Sequence, residues 1–210
     1  MITDKKHRLK LVLVTKGRSV LEIERLIEEA HQRGIRSIRL AENRLEEASE
    51  KWPAIQTPFE KHFIGKLQSR KIAKIVALFD VIQSVENLEQ AQKISAACEE
   101  QAKIMRVFLQ VNLSKLPQRS GVDPQEALQL ISKLKTLPHL ELQGLMGIAS
   151  MDPFLARQEF RTLKALQGNL EECSMGMSED YSIAVEEGST LLRLGRVLFE
   201  EGLPKELDFE

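Results

Sequence analysis

The chain has 210 residues, with 30 Lys and Arg against 31 Asp and Glu, a formal net charge of -1. That balance leaves no overall cationic field, which disfavours nucleic acid or an anionic membrane as the main partner. At 42% hydrophobic and 29% charged residues, the chain has the apolar content for one substantial core and too much of it for extended disorder.

Two cysteines, Cys98 and Cys173, occur without CxxC spacing or a Cys/His cluster. Neither a disulfide framework nor a metal site is expected, and a reducing, cytoplasmic setting fits best. The segment Met1 to Arg8 is polar, and the apolar run after it is broken by Lys10 and lacks a small-residue cleavage site, so it reads as a strand and not as a leader. No uninterrupted apolar run reaches the roughly 18 residues that a membrane helix requires.

Short β-rich runs alternate with longer segments of helical period, the pattern of parallel βα units. The first strand is predicted at Leu9 to Thr15, followed by a helix whose Val20, Ile23, Ile27 and Ala30 share one face. Ser19 and Glu22 form a capping box before it, and Gly34 ends it. A second strand follows at Ile35 to Ala41, with a helix from about Arg44. The third strand, Lys61 to Gly65, leads to a helix from Ser69, and the fourth, Val81 to Val85, to one reaching Cys98. The fifth, Met105 to Asn112, precedes a helix that Asp123 caps and Pro124 opens, with Glu126 in its first turn. The sixth, Leu140 to Ile148, is followed by a helix from near Pro153. The seventh, Cys173 to Met177, precedes a helix from Ser178 or Glu179, and the eighth is Leu191 to Gly195.

Eight such units across residues 1–210 predict a single α/β domain, a (β/α)8 TIM-type barrel, though the chain is shorter than the ~250 residues usual for one. The alternative, an open doubly wound sheet, normally carries a glycine-rich first turn, and here that turn is Lys16-Gly17-Arg18-Ser19. A phosphate-binding P-loop is also missing, because Glu60 stands where the upstream glycine would be.

A parallel barrel collects its functional groups at the C-terminal ends of its strands. That rule nominates Lys16, Glu42-Asn43-Arg44, His62 to Gly65, Ser84, Asn112, Met146 to Ala149, Met177-Ser178 and Arg193 to Arg196. A lysine at an apolar barrel mouth has its charged form disfavoured by desolvation, and a neutral amine condenses with an aldehyde. The plainer reading of Lys16 is a solvated strand-end lysine. Barrels commonly bind phosphate after the seventh and eighth strands, where Ser178 offers a hydroxyl, Gly195 close backbone approach and Arg196 a positive charge. Ser178 also reads as a simple helix N-cap, and Glu179 and Asp180 would repel a phosphate. A lysine with a phosphate cradle calls for a phosphorylated aldehyde, either pyridoxal 5'-phosphate or a sugar phosphate held by an aldolase.

Ordered along the chain are Leu-Val-Thr-Lys16, Glu42-Asn43-Arg44, His62-Phe63-Ile64-Gly65 with Leu67-Gln68, Ser84-Val85, Gln110-Val111-Asn112, Gly144-Leu145-Met146, Met175-Gly176-Met177-Ser178 and Arg193-Leu194-Gly195. Together they resemble the pyridoxal phosphate homeostasis proteins, single-domain relatives of the alanine racemase N-terminal barrel, whose barrel is that of fold-type III pyridoxal phosphate proteins. The resemblance implies a Schiff base on Lys16, with Ser178, Gly195 and Arg196 around the cofactor phosphate. It places Asn43, His62, Ser84 and Met146 at the same pocket and sets Arg193 against the pyridine nitrogen. A fixed cation there disfavours a proton on that nitrogen and weakens the ring as an electron sink. Without the family, Arg193 reads as a core-edge ion pair and His62 as a satisfied strand histidine.

Two departures stand out. The helix usual in the family before the first strand has no counterpart in the eight polar residues here, which bears on stability and on oligomeric state. Leu40-Ala41-Glu42-Asn43 and Gly17-Arg18-Ser19 also differ from the family pattern at the pocket rim.

The function expected is reversible holding of pyridoxal phosphate in vitamin B6 homeostasis, with pyridoxal phosphate-dependent apoenzymes as candidate receivers. A monomer is the expected state, with a dimer as the alternative. An amino-acid racemase needs an acid on the face of the cofactor opposite Lys16. Tyr181, Cys98 and Cys173 are predicted away from that position.

Overall fold

The computed structural model describes residues 9–114, 116 and 118–210. The polar stretch Met1 to Arg8, and with it the expectation about a preceding helix, lies outside the described residues. Eight parallel strands form a closed barrel in chain order: β1 (Lys10–Val14), β2 (Arg39–Glu42), β3 (Glu60–Phe63), β4 (Val81–Val85), β5 (Met105–Val111), β6 (Leu140–Gly147), β7 (Glu172–Ser174) and β8 (Leu191–Leu194). Closure runs from β8 back to β1, with Leu11 opposite Leu192 and Val12 opposite Arg193. The helices between and after them are α1 (Val20–Gln32), α2 (Leu45–Lys51), α3 (Ile72–Leu78), α4 (Leu88–Glu100), α5 (Pro124–Leu134), α6 (Pro153–Gln167), α7 (Tyr181–Glu186) and α8 (Arg196–Glu200). Among the described residues no helix is long and apolar enough to cross a membrane.

Local chemistry sets most boundaries. Ser19 Oγ accepts from the Glu22 amide while the Glu22 carboxylate accepts from the Ser19 amide at 2.8 Å, closing the capping box of α1. Gly34 then takes φ of 83°, a conformation that costs glycine little. Asp123 and Asp152 cap α5 and α6, with a proline in the first turn of each.

Several expected boundaries shift, three of them for a visible reason. Residues 35–38 do not join β2, because the Ile35 amide is taken by Ala30 O at the end of α1. β7 stops at Ser174, since Gly176 turns the chain with φ of 98°. Consequently α7 starts at Tyr181 instead of Ser178 or Glu179, after a turn in which Asp180 Oδ1 accepts from the Met177 amide at 2.6 Å.

The main core lies between the strands and the surrounding helices, where Trp52, Phe59, Phe63 and Phe79 meet edge to face. A second cluster fills the barrel itself, with Val12, Val14, Ala41, Val81, Phe108, Met146 and Leu191. At the N-terminal mouth the inward positions turn charged. Lys10 pairs with Glu172 at 2.6 Å, and Glu60 takes Arg39 at 3.5 Å, Arg106, and His62 Nε2 at 2.6 Å. Burial opposes ionisation of Glu60, but the hydrogen bonds from His62 and Arg106 outweigh it and hold its pKa at about 2.

Two consequences follow for stability. Because the folded pKa of Glu60 lies below its ordinary 4.5, its contribution is present above that value and lost as pH falls towards the folded one. In urea titrations, the wild type is expected to lose more stability than Glu60→Gln between about pH 5 and about pH 3. Equal losses in the two proteins would contradict this. At the other mouth, a Cβ on Gly65 would lie 2.0 Å from the Asn43 carbonyl oxygen. Gly65→Ala is therefore expected to cost about 1–3 kcal/mol in chemical denaturation, because the ends of β2 and β3 must part.

Candidate cofactor site

The C-terminal strand ends enclose a cleft of about 300 Å³. Lys16, Ser178, Arg193, Gly195 and Arg196 line it, together with Val14, Ile64, Met177 and Glu179. Five of the nine residues expected at the site thus converge on one opening.

Lys16 lies one residue beyond Thr15, past the end of β1, and is exposed. The burial expected for it is not supplied by the protein, because the chain turns outward at Gly17 with φ of 67°. The backbone on either side is nevertheless held. Lys51 Nζ donates to Thr15 O at 2.5 Å and pairs with buried Glu42 at 2.5 Å, while Thr15 Oγ1 donates to the same carboxylate at 2.7 Å. The Gly17 amide donates to Glu47 at 3.0 Å, and the Arg18 guanidinium sits 4.6 Å from the centre of the Phe199 ring. A fixed backbone therefore carries an open amine.

Arg193 is the opposite case. It is 3% exposed, and its Nη1 donates to Ser174 Oγ at 2.7 Å while Nη2 donates to Gly147 O at 2.8 Å. Desolvation pulls its pKa down to about 10, against the attraction of Asp180, so it stays a cation at neutral pH. These acceptors are neutral, and the carboxylate ion pair that Arg193 suggests in isolation is not how the described residues hold it. Ser174 Oγ donates onward to Gln83 Oε1 at 2.7 Å, Gln83 Nε2 lies 2.8 Å from His62 Nδ1, and His62 Nε2 reaches Glu60.

On the remaining side, Ser178 Oγ accepts from the Val197 amide at 3.2 Å. Its hydroxyl thus serves the first turn of α8, whereas α7 was the helix it was expected to cap. Gly195 packs its backbone against β1, where a Cβ would lie 3.2 Å from Val14 O. Arg196 is exposed and paired to Glu179 at 2.6 Å, so the carboxylate expected to repel a phosphate holds the cation expected to attract one.

The other four residues stand back from the cleft lining. Asn43 is exposed at the rim, with its carbonyl against Gly65. Ser84 Oγ is buried and donates to Gly65 O at 2.6 Å, bracing that turn. Met146 packs among the barrel-interior side chains with Val12 and Val14, under the cleft. His62 has both ring nitrogens engaged and sits deeper in the barrel. Ile64 and Met177, both among the strand-end candidates, are pocket walls, whereas Ser174 and Gln83 went unnamed as supports of Arg193. The two-residue alternation Glu60, His62, Ile64 in and beyond β3 carried the signal for the first, since it turns all three side chains inward.

Residues 3–201 match the family model described as the alanine racemase N-terminal domain. The chain is 36% identical over 207 residues to the pyridoxal phosphate homeostasis protein of a Synechocystis strain, covering 93% of this chain and 92% of that protein. It is 33% identical to the protein of the same name from Pasteurella multocida, over 91% of this chain and 85% of that one. Among solved structures, PipY of Synechococcus elongatus with PLP bound superposes with a TM-score of 0.79 at 29% identity, covering 91% of this chain and 92% of that one. Alanine racemase of Clostridium difficile shares the fold, with a TM-score of 0.72 at 15% identity, and this chain spans 56% of its length. A barrel closed in chain order, with a lysine beyond the first strand and an arginine on the eighth, and this degree of identity over nearly its whole length, make the chain a member of the pyridoxal phosphate homeostasis protein family.

Proposed function

We propose that the chain binds pyridoxal 5'-phosphate reversibly at this cleft, through Lys16, and acts in holding the cofactor and passing it on. The convergence of Lys16, Arg193, Ser178, Gly195 and Arg196 on one opening carries this reading. The donor set suits the molecule. A primary amine meets its formyl group, a hydroxyl and a guanidinium meet its phosphate, and the absent Cβ of Gly195 keeps space beside β1. When bound, the cofactor supplies an electrophilic carbonyl carbon that takes up an amine reversibly.

The chain's own residues favour holding over turnover. The buried Arg193 guanidinium keeps a cation at the cleft floor, and a cation facing the ring nitrogen disfavours a proton there. Carbanion chemistry on the ring is favoured by that proton and by exclusion of water. Exposure of Lys16 instead leaves the linkage open to water and to an incoming acceptor. Glu179 is the one carboxylate among the described lining residues, and it is engaged by Arg196. Tyr181 donates its hydroxyl to Glu206 at 3.1 Å, and Cys98 and Cys173 are buried free thiols. Receiving apoenzymes, a monomeric state and a reducing, cytoplasmic setting complete the reading.

Borohydride reduction of the protein loaded with pyridoxal phosphate, followed by peptide mapping, is expected to label Lys16, and Lys16→Ala to lose the near-visible absorbance. Labelling at Lys51, Lys66 or Lys71 would overturn the assignment. Glu179→Gln is expected to tighten cofactor retention severalfold by freeing Arg196 for the phosphate, an effect that salt should diminish. Weaker retention in that variant would mean that Glu179 orients Arg196 instead of competing for it.

A further inference from the structure

Resting on the cofactor reading above, we propose that Ser174, Gln83 and His62 form a one-way hydrogen-bonded relay that positions the Arg193 guanidinium from the opposite mouth of the barrel. With the Gln83 amide oxygen towards Ser174, the donors and acceptors run in one direction. Arginine has no acceptor, so Ser174 Oγ accepts from Nη1 at 2.7 Å. The single hydroxyl proton then goes to Gln83 Oε1 at 2.7 Å, which turns the Gln83 amide nitrogen to His62 Nδ1 at 2.8 Å. That nitrogen must be unprotonated to accept, so the ring proton sits on Nε2 and is donated to Glu60 at 2.6 Å.

Arg193, Ser174, Gln83 and His62 are each at most 3% exposed, so water offers no substitute for a missing link. Every donor points from a cation towards an anion, and bonds aligned in this way polarise one another where the dielectric is low. The relay also decides what Arg193 offers the cleft. With Nη1 and Nη2 each committed to an acceptor, rotation of the guanidinium is blocked and its remaining N–H groups keep one orientation.

The groups that face His62 come from several strands. Glu60 faces it from β3, and Arg39 of β2 and Arg106 of β5 bind that same carboxylate. From β4 it meets the uncharged Gln83, while Asp80, just before β4, is turned to the Lys61 amide at 2.9 Å. From β7 and β8, Ser174 and Arg193 reach it only through Gln83. A proton on Nδ1 would face the Gln83 amide donors, force that amide over and leave Ser174 Oγ between two donors.

Long-range proton–nitrogen spectra of the cofactor-free protein are expected to show His62 as the neutral Nε2–H tautomer. Gln83→Glu, which replaces the donor with an acceptor, is expected to bring a second proton to the ring. In the loaded protein, Ser174→Ala should weaken pyridoxal phosphate retention roughly tenfold and move the near-visible band, as befits loss of a hydrogen bond to a charged group. Ser174→Thr, which keeps the hydroxyl, should restore both. If Ser174→Ala does not fold, Gln83→Leu, which removes the acceptor of the Ser174 hydroxyl, is read in the same way. A wild-type ring carrying its proton on Nδ1, or on both nitrogens, would overturn the relay. So would folded variants with unchanged band and retention. Failure of the wild type to take up the cofactor at Lys16 would count against the proposed function, and the tautomer would still decide the relay.

Discussion

The structure is organised around a buried cation without a carboxylate beside it. A guanidinium taken out of water is costly unless its donors are met and its charge is balanced. Arg193 meets its acceptors in Ser174 and in the Gly147 carbonyl, on two neighbouring walls of the barrel. Its attraction to Asp180 offsets part of the desolvation. Each acceptor must sit where its strand register puts it, so closure of β6, β7 and β8 and seating of the charge are one requirement.

Lys16 and Arg193 divide the work of the cleft by their surroundings. The lysine stands exposed on a backbone that Lys51, Glu42 and Glu47 hold in place, which fixes where its side chain begins without enclosing the amine. The arginine is enclosed and immobile. The proposed reversible hold is consistent with that contrast, since enclosure of the amine would slow exchange and exposure of the arginine would weaken its field in the cleft.

Much of this is legible in the sequence. Alternation of apolar runs with helical stripes led to the barrel, because parallel strands buried on both faces read as continuous apolar segments. Ser19, Asp123 and Pro153 announced helix starts because capping is a local matter. Lys16, Ser178, Arg193, Gly195 and Arg196 meet at one cleft because strand ends converge by topology. Ser84 and His62 were harder, since a strand-end side chain can point into the cleft or beneath it, and one residue of register decides which. Ser178 was assigned to α7 because sequence order favours the nearest helix, whereas its hydroxyl meets the helix after the next strand. Ser174 and Gln83 carry no local signal at all. They are separated by 91 positions along the chain, and their partnership exists only once the barrel closes.

The interior of the barrel is divided in a way that explains why so polar a path is tolerated. β3 and β4 supply His62 and Gln83, and β7 and β8 on the far wall supply Ser174 and Arg193, so the polar groups run across the barrel. The flanks are apolar, with Val12, Val14 and Ala41 from β1 and β2 on one side and Phe108 and Met146 from β5 and β6 on the other. Side chains on the flanks exclude water from the path, which strengthens each bond along it and raises the cost of breaking any one. Val12, Val14 and Ala41 can therefore be read as insulation, and His62, Gln83, Ser174 and Arg193 as contacts. An apolar side chain at Gln83 would leave the Ser174 hydroxyl proton and His62 Nδ1 without their partner at once, whereas exchanging one aliphatic residue for another at Val12 changes only packing.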